Sequence, residues 1–200
     1  MKIVLATGNQ HKLREFQQIL ATDTLKIVPQ SEFQGCPEVV EDGSSFEENA
    51  LKKARTIATH TGCIAMADDS GLEVDALMGE PGIYSARYAG EPRSDGRNIE
   101  LLLENMLRVC EVQRGAQFVC VIAVVTPEGR ELIAQGLCRG RITMQPEGKD
   151  GFGYDPVFLY EPSGRTFSQL SSDEKNNISH RGRAVQNLRE LLPAFLNSLQ

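Results

Sequence analysis

Lys2-Ile3-Val4-Leu5-Ala6-Thr7-Gly8-Asn9-Gln10-His11-Lys12 decides how the chain folds. Residues 2–6 are apolar enough for a buried strand. From residue 11 the apolar side chains return at helical spacing, with Leu13, Phe16 and Leu20 on one side beside Gln17. A strand that passes through a short polar turn into a helix is the opening unit of an α/β protein. The apolar start is too brief for a signal peptide, because Asn9-Gln10-His11-Lys12 follows at once.

The same alternation continues outward from this unit. A short strand over residues 25–28 stops at Pro29, and residues 30–43, with Gly35, Pro37 and Gly43, read as an irregular connection. Ser44 with Glu47, or Ser45 with Glu48, can form a capping box for the next helix. Phe46, Ala50, Lys53, Ala54, Ile57 and Ala58 share one side of that helix. Residues 63–67 read as a buried strand that ends at Asp68-Asp69-Ser70-Gly71. Residues 78–93 are loop-like, and Ser94 caps a helix carrying Ile99, Leu102, Leu103 and Met106. Residues 118–126 and 131–138 flank Pro127-Glu128-Gly129 as a hairpin. A glycine-punctuated loop at 151–155, a capped turn at 171–178 and a helix over about 182–199 close the chain. We expect one domain over residues 1–200, in two lobes with a cleft between them.

Bulk properties narrow the function. The chain has 200 residues, 40% hydrophobic and 24% charged, as in an ordinary globular protein. No apolar run approaches the roughly 20 residues a membrane span needs, so no membrane partner is expected. The five cysteines are odd in number and lack a C-x-x-C pair, which argues against a disulfide framework and a structural zinc site and for the cytoplasm. The net charge of −6 is spread through the chain, unlike the basic stripe of a nucleic-acid binder. A small polyphosphate, held by a few basic groups and a metal ion, remains compatible.

Five stretches could carry chemistry. Thr7 to Lys12 lies between strand and helix, where free N–H groups favour anions, Gly8 permits close approach and Lys12 adds a point charge. It lacks the Walker A spacing, and a plain connecting turn is the competing reading. Asp68-Asp69-Ser70-Gly71 places acids after a buried strand, where α/β proteins bind ligands and where magnesium finds oxygen donors. The competing reading is an Asx-turn. Glu38, Glu41 and Asp42, with Glu47, Glu48 and Asn49, could supply a second metal ligand, or simply complement the helix dipole. Lys53, one turn beyond Asn49, could face the same place, although an exposed lysine is the ordinary expectation. Phe152-Gly153-Tyr154-Asp155 offers aromatic faces for a base and a carboxylate for base or ribose; alternatively, its rings plug the core. Lys175, His180 and Arg181 could reach phosphate or a base oxygen, or serve a turn between helices.

Taken together, these blocks resemble the inosine triphosphate pyrophosphatase (Ham1-like) family over nearly the whole chain. The matching residues are Thr7-Gly8-Asn9 with Lys12, Phe46-Glu47-Glu48-Asn49-Ala50, Ala67-Asp68-Asp69-Ser70-Gly71-Leu72, and Pro81-Gly82-Ile83-Tyr84-Ser85-Ala86-Arg87-Tyr88. They continue with Gly151-Phe152-Gly153-Tyr154-Asp155-Pro156, then Glu174-Lys175 and Ser179-His180-Arg181. The resemblance implies an elongated mixed sheet flanked by helices, with a central nucleotide-binding cleft, in a homodimer. It implies hydrolysis of ITP, dITP and XTP to the monophosphate and pyrophosphate, dependent on Mg2+. Thr7, Gly8, Asn9, Gln10, His11 and Lys12 would hold the triphosphate, with Lys53 assisting. Asp69 would be the catalytic acid/base and, with Glu41, a metal ligand. Ser70 would touch substrate, and Phe152, Gly153, Tyr154, Asp155, Lys175, His180 and Arg181 would surround purine and sugar. Val39-Val40-Glu41-Asp42-Gly43 departs from the family's usual acidic run before a threonine and glycine, so Glu38 competes with Glu41 for the ligand role.

Three other readings compete. A Ser70–His180–Asp155 hydrolase lacks the G-x-S-x-G elbow. A non-catalytic nucleotide-binding module would not need Asp69, Lys12 and Glu41 together. A pyrophosphatase for modified pyrimidine nucleotides keeps the chemistry and changes the base.

Overall fold

The computed structural model describes residues 1–8, 10–22 and 25–199. It has one mixed sheet of seven strands in the order β2-β1-β3-β4-β5-β6-β7. The strands are β1 (Lys2–Leu5), β2 (Lys26–Pro29), β3 (Ile64–Val74), β4 (Gly115–Val125), β5 (Glu131–Ile142), β6 (Phe158–Tyr160) and β7 (Arg165–Thr166). The helices are α1 (Gln10–Leu20), α2 (Phe46–Thr61), α3 (Asp95–Asn105), α4 (Ser172–Ile178) and α5 (His180–Asn197). Parallel pairs β1–β2 and β1–β3 stand at one end of this order, antiparallel pairs β5–β6 and β6–β7 at the other. The α/β class expected from the alternation of apolar runs is thus the observed one.

The described residues divide into two compact units. The first holds residues 1–69, 120–136 and 184–200, and the second residues 70–119 and 137–183. In the first, Leu13, Phe16 and Leu20 of α1 and Ala184, Val185, Leu188 and Leu192 of α5 join one buried cluster with Ile3, Leu5, Met66, Ile122 and Val124 of the strands. Each fully buried side chain of this size contributes about 1.5–3 kcal/mol. In the second unit, Ile99 and Leu102 of α3 and Met106 at its C-cap pack with Leu72, Val74, Phe118, Tyr154, Phe158 and Phe167. Arg114 is buried there too. Its guanidinium donates to the carbonyls of Met106, Ile142 and Thr143, each at 2.9 Å, and of Val109 at 3.3 Å. It thereby satisfies acceptors left over at the end of α3 and of β5.

Local signals place the helix starts. Ser45 is the N-cap of α2 and accepts from the Glu48 N–H at 3.1 Å, while the Glu48 carboxylate takes the Ser44 N–H at 2.7 Å. Ser94 caps α3, and Ser171 with Glu174 forms a full capping box at α4. Two expectations need correction. Residues 82–87 are not loop but a 3-10 turn, fastened by Ser85: its hydroxyl accepts the Leu72 N–H at 2.8 Å and donates to Gly82 O at 2.6 Å. And β3 does not stop at residue 67. It runs straight through Asp68-Asp69-Ser70-Gly71.

Candidate active site

That longer strand governs the acid cluster of the first unit. Successive side chains in a strand point to opposite faces, so the two neighbouring aspartates meet different lysines, although the two pairs are close enough to act on one another. Asp68 lies on the parity of Met66, which packs with α1, and its buried Oδ2 accepts from Lys12 Nζ at 2.7 Å. Asp69 faces α2. Its Oδ2 accepts from Asn49 Nδ2 at 3.1 Å, and its Oδ1 lies 3.4 Å from Lys53 Nζ. Lys53 also donates to Glu41 Oε1 at 2.5 Å and to the Asp68 carbonyl at 2.7 Å. Asn49 is buried and completes the arrangement by accepting the Gly43 N–H at 2.8 Å, which ties the segment bearing Glu41 to α2. One ammonium thus gathers the carboxylates of Glu41 and Asp69.

The charges follow from this packing. Burial pushes the Asp69 carboxyl above the ordinary aspartate range, and the Glu41 charge adds to this; Lys53, the Asn49 amide and Lys12 oppose it. Burial works against the Lys53 ammonium, but Asp69, Asp68 and Glu41 together hold its pKa above the usual lysine value. Two convergent carboxylates suit a hard divalent cation, which takes oxygen donors and commonly one or two carboxylates. Among the described residues no group of three or more His, Cys, Asp or Glu side chains converges, so protein donors beyond this pair are not evident. Glu41, not Glu38, is the acid in contact with Lys53.

The turn preceding α1 is only partly described. Thr7 N–H donates to Leu5 O at 3.0 Å, and among the described residues no atom stands within 4 Å of where a Gly8 Cβ would be. Asn9, and the side chains of Gln10 and His11, lie outside the described residues. Lys12 is held by Asp68 rather than standing as an isolated surface charge.

The second unit carries a pocket of about 150 Å³ whose lining includes Ser70, Phe118, Phe152, Gly153, Lys175, His180 and Arg181. Phe152 is 56% exposed, with Lys175 Nζ 4.5 Å and Arg181 Cζ 5.8 Å from its ring centre. Tyr154 behaves as a core plug: it is buried and donates its hydroxyl to Ser85 O at 2.9 Å. Burial raises its phenol pKa. Asp155 is buried as well, and its Oδ2 accepts from Phe152 N–H at 2.9 Å and Lys175 Nζ at 2.5 Å. Gly151 is obligatory beside it. At φ +87°, a Cβ would stand 2.2 Å from Asp155 Oδ2. The His180 ring stacks on Phe118, centroids 4.6 Å apart and planes 13° from parallel.

Two candidates from the sequence take unforeseen roles: Asp68 is the partner of Lys12, and Asn49 the positioner of Asp69. Others were not singled out for the site. In the second unit Asn98, Asp95 and Ser85 line the pocket. Asn98 is buried and accepts the Ala89 N–H at 2.8 Å while donating to Ser85 O and Ala86 O at 3.3 Å. Its signal was available: it is a polar residue on the apolar stripe of α3, one position before Ile99.

The fold is a mixed α/β sheet with a carboxylate–lysine cluster in one unit and a basic pocket in the other, and comparison with known proteins specifies the family. Residues 3–191 match the Ham1 family. A dITP/XTP pyrophosphatase of Desulforamulus reducens is 48% identical over 192 residues, covering 96% of each chain. That of Desulfotalea psychrophila is 47% identical over 198 residues, 99% of this chain and 88% of the other. The solved structure of a HAM1 protein from Coxiella burnetii matches with a TM-score of 0.92 at 43% identity, covering 97% of this chain and 99% of that one. The chain belongs to the Ham1 family.

Proposed function

We propose that this chain is a nucleoside-triphosphate pyrophosphatase that hydrolyses dITP, ITP and XTP to the monophosphate and pyrophosphate, residues 1–200 acting as one catalytic domain. The observation that carries the reading is the gathering of Glu41 and Asp69 on Lys53, with Lys12 held beside them by Asp68. Relatives nearly half identical over the whole chain bear the matching name.

Glu41 and Asp69 are the residues that would hold Mg2+. When bound, the ion supplies a Lewis acid that withdraws charge from phosphate oxygens. The chain's own groups do the rest. Asp69, raised above ordinary carboxylates by burial, is suited to take a proton from the attacking water. The water oxygen bonds to the α-phosphorus, the bond from that phosphorus to the bridging oxygen breaks, and pyrophosphate leaves with the electron pair. Lys12, Lys53 and the backbone from Thr7 through Gln10 hold the triphosphate, with Asn9 and His11 in the same segment, and offset charge that develops on it. Ser70 contacts substrate.

The purine belongs in the pocket lined by Phe152, Gly153, Tyr154 and Asp155 with Lys175, His180 and Arg181. Phe152 offers an exposed face for stacking. Donors from His180, Arg181 or nearby backbone suit the 6-oxygen of hypoxanthine and xanthine and meet another donor in adenine. Each buried group left unpaired costs about 1–3 kcal/mol, roughly ten- to hundredfold in selectivity. Five cysteines without a disulfide suit the reducing cytoplasm, and among the described residues no helix is long and apolar enough to cross a membrane. The family resemblance supports a homodimer, which light scattering checks.

The test is product analysis with Mg2+ and ITP, XTP, ATP, GTP or a modified pyrimidine triphosphate. Pyrophosphate with a preference for ITP and XTP is expected. Orthophosphate as product, or equal turnover of ATP, overturns the reading; turnover that survives EDTA removes the metal from it.

A further inference from the structure

Two neighbouring amides in the second unit are held by carboxylates from different elements. Phe152 N–H donates to Asp155 Oδ2 at 2.9 Å, and Gly153 N–H to Asp95 Oδ2 at 2.7 Å. Asp155 is local to the loop. Asp95 is not: it comes from the first turn of α3, 58 residues away in sequence. The helix has no need of it as a cap, because Ser94 already accepts the Arg97 N–H at 3.4 Å. An acid in a first turn is ordinarily accounted for by the helix dipole, and a solvated carboxylate would serve that purpose. Here the carboxylate instead reaches a loop that has little rigidity of its own. Gly151 and Gly153 both have positive φ, +87° and +59°, and glycine loses the most conformational freedom on being fixed.

What the two carboxylates fix is Phe152. Its ring is more than half exposed, yet the amide at its own residue and the one after it are both clamped, and Lys175 and Arg181 stand against the ring. An exposed aromatic held in advance of binding avoids the ordering cost that a mobile one would incur when a ligand arrives. We infer that Asp95 is a positioning residue: its carboxylate latches Gly153 so that the Phe152 ring is preset as the stacking wall for the substrate's base. The inference rests on the proposed function for the identity of the ligand, but the latch itself is a property of the free protein.

The experiment compares the full chain with its Asp95→Ala and Asp95→Asn variants in three measurements. Amide hydrogen exchange reads the latch at Gly153. Calorimetry with IMP and with inorganic pyrophosphate separates base from phosphate binding, and ITP kinetics separates KM from kcat. For Asp95→Ala we expect Gly153 exchange to accelerate about ten- to hundredfold, as for loss of one hydrogen bond to a charged acceptor. IMP affinity should fall and KM rise by about three- to tenfold, with pyrophosphate binding and kcat within about twofold, a preorganisation effect. Asp95→Asn keeps an acceptor oxygen and should recover much of each loss. Unchanged exchange at Gly153, equal weakening of IMP and pyrophosphate, or a fall in kcat at constant KM overturns the inference. Wild-type protein that binds no IMP and leaves ITP intact overturns the functional reading instead, and with it the base as the ligand of this wall.

Discussion

Replacing Gly182 with alanine should destabilise this protein, against the usual direction of such a change. In an exposed helix interior, alanine is favoured over glycine by about 0.5–1 kcal/mol. Gly182 stands in the first turn of α5, where its N–H donates to Ser179 Oγ at 3.1 Å. A Cβ there would lie 1.8 Å from the backbone oxygen of Asn176 and 2.9 Å from its carbonyl carbon. A carbon meets a carbonyl oxygen comfortably at about 3.3–3.6 Å, so α4 and the start of α5 must separate by roughly 1.5 Å. The obstacle is backbone, and no rotamer change relieves it. Overpacking of this kind costs about 1–3 kcal/mol and sometimes more, which exceeds the gain in helix propensity. The chain contains no tryptophan, so urea unfolding is best followed by far-UV circular dichroism. With a slope of about 2 kcal/mol/M, the midpoint should fall by roughly 0.5–1.5 M. A functional consequence accompanies it. Lys175 sits on α4 with Nζ 2.5 Å from Asp155, and a displacement of that size takes the pair beyond hydrogen-bond reach. KM for ITP should therefore rise more than kcat falls. A Gly182→Ala variant as stable as wild type, with unchanged KM, would refute the close approach of α4 and α5 and the role assigned to Lys175.

Three further predictions follow from the buried charges. Asp69→Asn should abolish turnover and yet stabilise the fold at neutral pH: a carboxyl whose folded pKa is raised contributes stability below its unfolded value of about 3.8 and loses it as pH rises through the folded value. Urea unfolding at pH 8 should favour the variant and at pH 4 should not; an equal difference at both would contradict this. Lys53→Met removes the ammonium between Glu41 and Asp69, so the acid limb of the kcat–pH profile should move to higher pH and kcat should fall about hundredfold or more; a stationary limb would argue against Asp69 as the base. Arg114→Met strips donors from three carbonyls at 2.9 Å, at about 1 kcal/mol or more each, and should lower Tm by roughly 10 °C; a drop under about 3 °C would show that water or local rearrangement satisfies them.

How much of this was legible in the sequence depended on distance along the chain. The serine caps at 45, 94 and 171 and the hairpin around Pro127-Glu128-Gly129 were readable because each is settled within a few residues. The sequence places the start of α5 at about residue 182, whereas the helix begins at His180 and takes in Gly182, which is small so that Asn176 can come close. Tyr154 and Asp155 were read as open to ligand or as core, and their contacts favour a buried structural role, leaving Phe152 as the exposed ring. The extent of β3 was the largest miss. Asp-Asp-Ser-Gly has low strand propensity and the composition of a turn. What overrides that preference is tertiary: Lys12 lies 56 residues from Asp68 and Lys53 lies 16 from Asp69, and no local pattern announces either partner.

The extended strand also explains why two adjacent acids can coexist in a packed interior. On one face, two carboxylates at this separation would resist joint ionisation. Alternation instead gives each its own lysine from its own helix: Asp68 meets α1 and Asp69 meets α2. Their roles then diverge, since Asp68 is spent on fixing Lys12 while Asp69 shares Lys53 with Glu41 and remains the acid with a raised pKa. The partition is set upstream, in the pairing of Ile3 with Ile64, Val4 with Ala65 and Leu5 with Met66. A slip of one residue in that pairing would turn every side chain of β3 to the opposite face. Met66 would leave the cluster it shares with Ile3 and Leu5, and each aspartate would be turned away from the lysine it now meets. The hydrophobic residues of the first strands therefore do more than fill a core: by fixing the register, they determine which of two chemically identical neighbours faces Lys53 and Glu41.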